Sequence, residues 1–154
     1  MDLSKKVKVG ILSVVILLAA AGAATATMHA VTHDSSFCAS CHVMQNYMAS
    51  WEHSSHREVA GCNDCHTDQR NYLAKTYSKA TAGARHAFMN VIQPPEHLKM
   101  VESSKEVVQR NCLRCHDSLV EKTRLAEQEA ESDRKFCFDC HRSTPHGRER
   151  PSPP

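Results

Sequence analysis

Cys38-Ala-Ser-Cys41-His42, Cys62-Asn-Asp-Cys65-His66, Cys112-Leu-Arg-Cys115-His116 and Cys137-Phe-Asp-Cys140-His141 are four copies of one pattern, and they use all 8 cysteines of the 154-residue chain. Cys-x-x-Cys-His is the attachment sequence of c-type haem. Its two thiols add to the porphyrin vinyl groups, and the adjacent imidazole is placed to bind the iron from one face. A disulfide framework tolerates irregular spacing and needs no histidine after every second cysteine. A zinc site needs only two cysteine pairs per metal and is less expected outside the cell. The pattern therefore predicts four covalently bound haem c groups.

Around the motifs the chain looks doubled. The first and second begin 24 residues apart, the third and fourth 25, and 45 residues from Thr67 to Asn111 separate the pairs. Between the pairs, residues 70–90 hold good helix formers without proline and stop before Pro94-Pro95. On that helix Lys75, Lys79, Gly83 and His86 share one face. Ser103 or Ser104 is placed to cap a second helix running through Val107 and Val108 into the third motif. Residues 121–134 are charged on every side and read as a solvated helix, and residues 148–154 read as a disordered tail.

Composition fits a haem-filled interior. Only 8 of the 154 residues are Phe, Tyr or Trp, too few for an ordinary core. Four porphyrins in the 126 residues from His29 onward supply that missing apolar volume. Setting aside Lys5, Lys6 and Lys8, and Asp2, leaves 16 basic and 16 acidic side chains, a balance that argues against a nucleic-acid partner.

From Val9 to Met28 there are 20 consecutive uncharged residues, which as a helix span roughly 30 Å of hydrocarbon. The lysines just before this run place the N-terminus in the cytoplasm and the bulk of the chain outside. A leader cleaved near Ala24-Thr25-Ala26 is the competing reading, but the run is longer than a signal peptide needs. Both readings export the haem motifs.

Four six-coordinate haems need eight axial ligands and the motifs supply four. The remaining candidates are Met44, Met48, His29, His33, His53, His56, His86, His97 and His146. Met44 is too near His42 in sequence to reach the opposite face of the same haem, so it either packs apolarly or displaces His42. His53, His56 and His146 are either distal ligands or loop histidines, and His97, beside the prolines, reads as a surface residue.

The four motifs, the N-terminal anchor and the segment Cys41-His-Val-Met44 together resemble the NapC/NirT family of membrane-anchored tetrahaem quinol dehydrogenases. Ser50-Trp-Glu-His53-Ser-Ser-His56, Lys79-Ala-Thr-Ala-Gly-Ala-Arg-His86 and Ser143-Thr-Pro-His146-Gly extend the likeness over nearly the whole chain, most closely to the branch of cytochrome c nitrite reductase small subunits. The resemblance implies that Met44 rather than His42 binds the first haem, whose far side stays open toward quinol. It implies His66, His116 and His141 as motif ligands and His56 and His146 as distal ones, pairing His56 with the haem of His141 and His146 with that of His116. The haem of His66 is then completed by a lysine of the catalytic partner or by His53. Lys79 and His86 correspond to the quinol site. Some relatives carry aspartate where this chain has His86, which here either accepts a quinol proton or binds the open iron. Lys79 either meets a quinol oxygen or is an ordinary lysine at the headgroups.

The expected fold is mainly α with much irregular structure: a single N-terminal transmembrane helix plus a small tetrahaem cytochrome c domain built from a doubled dihaem unit. Its divisions are a cytoplasmic 1–8, an anchor 9–28, a periplasmic haem domain 29–147 and the tail 148–154. The resemblance implies a quinol dehydrogenase of the inner membrane that passes menaquinol electrons to a periplasmic multihaem nitrite reductase in a hetero-oligomer. It would not reduce nitrite itself, since no Cys-x-x-Cys-Lys motif is present. The alternatives are the same role feeding periplasmic nitrate reductase or another terminal reductase, and a soluble periplasmic tetrahaem carrier.

Overall fold

The uncharged N-terminal run forms the middle of α1 (Leu3–Val31) in the computed structural model, which describes residues 3–92, 98–121 and 136–146. No breaker separates Lys5, Lys6 and Lys8 from the apolar run, and lysine is a good helix former, so the helix begins well before the uncharged stretch. Its few hydroxyls turn back onto its own carbonyls, Ser13 Oγ donating to Val9 O at 2.9 Å and Thr25 Oγ1 to Gly22 O at 2.9 Å. That internal pairing is what an apolar medium demands of a polar side chain. The helix is long and apolar enough to cross a membrane. The chain divides into two compact units, one up to His33 and one from Asp34 onward.

The second unit is helical, with no strand among the described residues: α2 (Ser35–Ala39), α3 (His42–Glu52), α4 (Cys62–His66), α5 (Tyr72–Ile92), α6 (Glu102–Val120) and α7 (Cys137–Cys140). Asp34 starts α2 by accepting the Ser36 N–H at 2.7 Å. Successive motif-bearing helices pack in chain order, α2 on α4, α4 on α6 and α6 on α7.

Polar fasteners make those joints, because apolar ones are scarce. Val108 is the only buried hydrophobic residue among those described. Between α2 and α4, Ser35 Oγ accepts the Cys62 N–H at 3.1 Å, and a Cβ on Gly61 would lie 3.0 Å from that oxygen. Between α4 and α6, buried Asn111 donates to Cys65 O at 2.9 Å and Thr67 O at 2.8 Å, satisfying carbonyls at the end of α4 that have no partner within the helix. Between α6 and α7, Gln109 Oε1 accepts the Cys137 N–H at 2.9 Å. Asp64 and Asp139 occupy the same place in their motifs and do the same work, accepting the N–H of Gly61 at 2.9 Å and of Phe136 at 2.8 Å. The doubling legible in the spacing is thus carried into the helix starts.

The expected helix over residues 70–90 is α5, shifted by two residues. The expected cap by Ser103 or Ser104 is not made: Val101 precedes α6, and its carbonyl accepts the N–H groups of Ser104 and Lys105 at 2.9 and 3.1 Å. Glu102, first in the helix, suits the positive end of its dipole and pairs with Lys105 at 2.8 Å. The solvated helix expected over 121–134, the tail and His97 lie outside the described residues, Glu121 apart.

Buried Asp68 lies just after the second motif. It accepts two bonds from Arg70 Nε and one from Arg70 NH2 at 2.7 Å, and Arg110 NH2 on α6 reaches it at 3.2 Å. The Arg70 hydrogen bond, with Arg110 adding charge, holds the Asp68 carboxyl down at about 2 against an ordinary 3.8. A depressed folded-state pKa stabilises above the unfolded value, and the gain fades as pH falls from about 4 toward 2. Because Arg70 is largely exposed and screened, the gain is put at about 1 kcal/mol. Denaturation of the detergent-solubilised holoprotein should show wild type more stable than Asp68→Asn at pH 7, with the gap closing by pH 2; a gap independent of pH would refute this role.

Candidate haem-binding and quinol site

Cysteines three apart on a helix emerge from the same side of one turn. Cys62 and Cys65 do so on α4, Cys112 and Cys115 on α6, and Cys137 and Cys140 on α7, each followed at once by its histidine. The first motif differs. Helix α2 stops at Ala39, Cys41 is extended at φ −87° and ψ 133°, and α3 begins at His42. Its histidine therefore starts a new helix instead of finishing the one that carries Cys38. His42 is exposed, while Met44, in the first turn of α3 with its N–H bonded to Cys41 O at 2.9 Å, is half-buried.

The sulfurs mark out the same path as the helices. A hydrogen bond with Cys62 pushes the Cys38 thiol up and pulls Cys62 down. Burial raises Cys65, with Asp64 and then Cys115 adding. Burial pushes Cys112 up to about 11, with Cys137 and then Cys65 adding. Each motif thus lies within electrostatic reach of the next.

Two imidazole pairs face each other across gaps. The rings of His66 and His146 have centroids 6.2 Å apart, and those of His56 and His116 are 6.1 Å apart. A metal ion held between two imidazole nitrogens, each about 2 Å away, separates ring centres by about 6 Å. His56 Nδ1 lies 3.3 Å from Thr144 O; donating there leaves Nε2 with the lone pair a metal needs. The His66 side chain is exposed, yet protein surrounds it at longer range. That enclosure, with His146 and His86 adding, lowers its pKa to about 4 and keeps it neutral and able to ligate. Burial also lowers His146, against the Tyr47 backbone. Thiols on one turn, facing imidazoles and a nearly empty apolar core all fit haem. Among the described residues no three His, Cys, Asp or Glu side chains converge as a bare metal site would need.

These pairs differ from those the resemblance implied. His146 faces His66 rather than His116, and His56 faces His116 rather than His141. The fold explains the change: α4 and α6 are packed together, and the Ser54–Ala60 link, closed by Trp51 Nε1 donating to Ala60 O at 3.0 Å, brings His56 to the α6 side. His53 Nδ1 lies 2.7 Å from Ala49 O at the end of α3. His141 follows α7 and is exposed.

The predicted quinol face lies along the first motif. Lys79 is buried and near Cys38; burial lowers its pKa first, Lys75 adds, and Cys38 opposes. Eleven positions further along the same face, Asn90 Nδ2 lies 3.8 Å from Cys41 Sγ. His86 stands between them, exposed, with its pKa lowered by burial and then by Arg85. Asn90 was not singled out from the sequence, although it continues the spacing of Lys79, Gly83 and His86. Asn111 and Gln109 carried no sequence signal, since their partners lie in distant motifs.

The chain matches the NapC/NirT cytochrome c family, N-terminal region, over residues 2–151. It is 40% identical over 116 residues to the cytochrome c nitrite reductase subunit NrfH of Nitratidesulfovibrio vulgaris, covering 75% of this chain and 69% of that protein. It is 34% identical over 128 residues to the cytochrome c-type protein NrfH of Wolinella succinogenes, covering 78% and 72%. A crystal structure of the cytochrome c nitrite reductase NrfHA complex bound to the inhibitor HQNO contains a chain with the same fold, with a TM-score of 0.70, 37% identity and 92% of both chains covered. Motifs, fold and relatives agree: this is a covalent haem c protein, and it belongs to the NapC/NirT cytochrome c family.

Proposed function

We propose that this chain is the membrane-anchored menaquinol dehydrogenase that feeds a periplasmic cytochrome c nitrite reductase. α1 anchors it with the N-terminus in the cytoplasm, and a periplasmic domain of about residues 29–147 holds four haems. The observation that carries the reading is the placement of Lys79 and Asn90 against the thiols of the first motif, at the head of a chain of packed motifs that ends at Cys137 and Cys140. Support for the partner comes from the NrfH relatives and from the likeness to a chain of the NrfHA complex.

Cys38 and Cys41, Cys62 and Cys65, Cys112 and Cys115, and Cys137 and Cys140 hold one haem each. Bound haem c supplies one-electron carriage from the quinol to the partner reductase. Met44 serves as ligand in the first site, His66 with His146 in the second and His116 with His56 in the third. His141 serves in the fourth, where a donor from the catalytic subunit completes the set. Menaquinol gives up two electrons and two protons. Lys79 donates a hydrogen bond to a quinol oxygen, and its depressed pKa eases sharing of that proton. His86, neutral near pH 7, accepts a proton on the same helical face.

The full chain in detergent should be reduced by a menaquinol analogue and should co-purify from native membranes with a multihaem nitrite reductase. His86→Leu should slow menaquinol reduction roughly tenfold or more while leaving dithionite reduction unchanged. Equal slowing of both would remove His86 from the quinol step, and no reduction of wild type by quinol would sink the entry reaction itself.

Met44→Ala should alter the absorption spectrum and midpoint potential of one haem and leave three as they were. Four unchanged haems would return that ligation to His42.

His56→Ala and His146→Ala should each remove the low-spin signature of one haem, and the double variant should remove two. Loss of the same single haem in all three proteins would mean the rings do not serve separate irons.

A further inference from the structure

A histidine that binds a metal through one nitrogen needs its ring held, and the usual holder is an acceptor for its other N–H. His56 has one in reach, Thr144 O lying 3.3 Å from its Nδ1. His146 differs: its Nδ1 is buried and has no hydrogen-bond partner among the described residues. What meets the His146 imidazole instead is the ring of Tyr47, edge-on, with centroids 5.9 Å apart and planes at 80°. That is a favoured arrangement for two aromatic rings, and it resists rotation of either one.

Tyr47 is itself well fixed. It is half-buried in α3, three residues after Met44 and so on the same side of the helix. α3 packs on α2, which carries Cys38, and Trp51 Nε1, one turn further along, donates to Ala60 O at 3.0 Å. A single braced helix therefore carries both Met44 and the ring that leans on His146.

We propose that Tyr47 is a positioning residue of the second site, its ring fixing the plane of the His146 imidazole relative to that of His66. The proposal rests on the ligand reading above, in which His66 and His146 share one iron. The planes of those two rings stand 46° apart, whereas those of His56 and His116 stand 80° apart. The angle matters because each imidazole donates into the iron d orbitals along a direction set by its ring plane. Rings near parallel split the two orbitals that share the unpaired electron, and rings near perpendicular leave them close in energy. The angle is thus written in the magnetic spectrum of the ferric ion. Through His146, Tyr47 sets the electronic character of the second site from the helix that bears the ligand of the first.

The test is low-temperature electron paramagnetic resonance of the oxidised holoprotein, full chain, in detergent. His146→Ala identifies the second-site signal as the low-spin signal it removes, and His56→Ala identifies the third in the same way. In wild type the maximal g value should be smaller for the second site than for the third, the order that 46° and 80° dictate. The reverse order would overturn the proposal. Tyr47→Leu should shift and broaden the second-site signal alone, because the imidazole then samples a range of angles, and Tyr47→Phe, which keeps the ring, should retain the wild-type position and width. A second-site signal unchanged in Tyr47→Leu, or moved as far by Tyr47→Phe, sinks the positioning role and leaves the ligation standing. If His146→Ala removes no low-spin signal, the ligand reading itself falls and takes the role with it. Should Tyr47→Leu fail to load four haems, the wild-type order and Tyr47→Phe decide.

Discussion

Two thiols one helical turn apart, followed at once by an imidazole, can grip a flat group far larger than any side chain, and no single helix can bury such a group. That constraint organises the second unit. The helices bearing motifs two and four are only five and four residues long, too short to persist alone, so their order comes from neighbours and from the groups they hold. With Val108 as the single buried apolar residue among those described, side-chain hydrogen bonds of Asn111, Gln109 and Ser35 join one motif to the next. Such bonds are directional, so they hold the motifs in fixed relation where a greasy contact would let them slide. For electron transfer, which depends on close and constant spacing, rigidity of that kind matters more than total stability.

What the sequence alone reveals follows from how local each signal is. The attachment motifs, the apolar anchor and the face of α5 are encoded within a few turns of chain, and the structure has them where the spacing put them. The imidazole pairs are not local. His146 meets His66 from 80 positions away, and His56 meets His116 from 60, so nothing short of the packing of α4 on α6 selects those partners over others. The cap of α6 departs from expectation for a different reason. Serines near a helix start are a statistical signal, and here the main-chain carbonyl of Val101 accepts the N–H groups that a serine side chain would have taken.

The pairing has a consequence for the exit of electrons. In the proposed set His146 serves the second site and His56 the third, so the position in need of an outside donor is the fourth motif and not the second. That position agrees with the order of packing, since α7 ends the series and His141 is exposed. A donor supplied by the catalytic subunit at that end would join the two proteins where electrons cross between them, so that docking and ligation become one event.

The break in the first motif is the counterpart at the entry. In the second and third motifs the histidine continues the helix that carries the thiols, and in the fourth it follows the helix directly, its N–H bonded to Cys137 O at 2.9 Å. Extended Cys41 interrupts that continuity and His42 is exposed, while Met44, third in the new helix, is half-buried. A thioether ligand stabilises reduced iron relative to an imidazole and raises the potential. In the proposed ligation Met44 would give the first site a higher potential than an imidazole-bound one, and because one iron holds one electron, the two electrons of a quinol would have to leave it one after the other. On the proposed reading Lys79 and His86, on the helix whose Asn90 meets Cys41, are the groups that would take the two released protons.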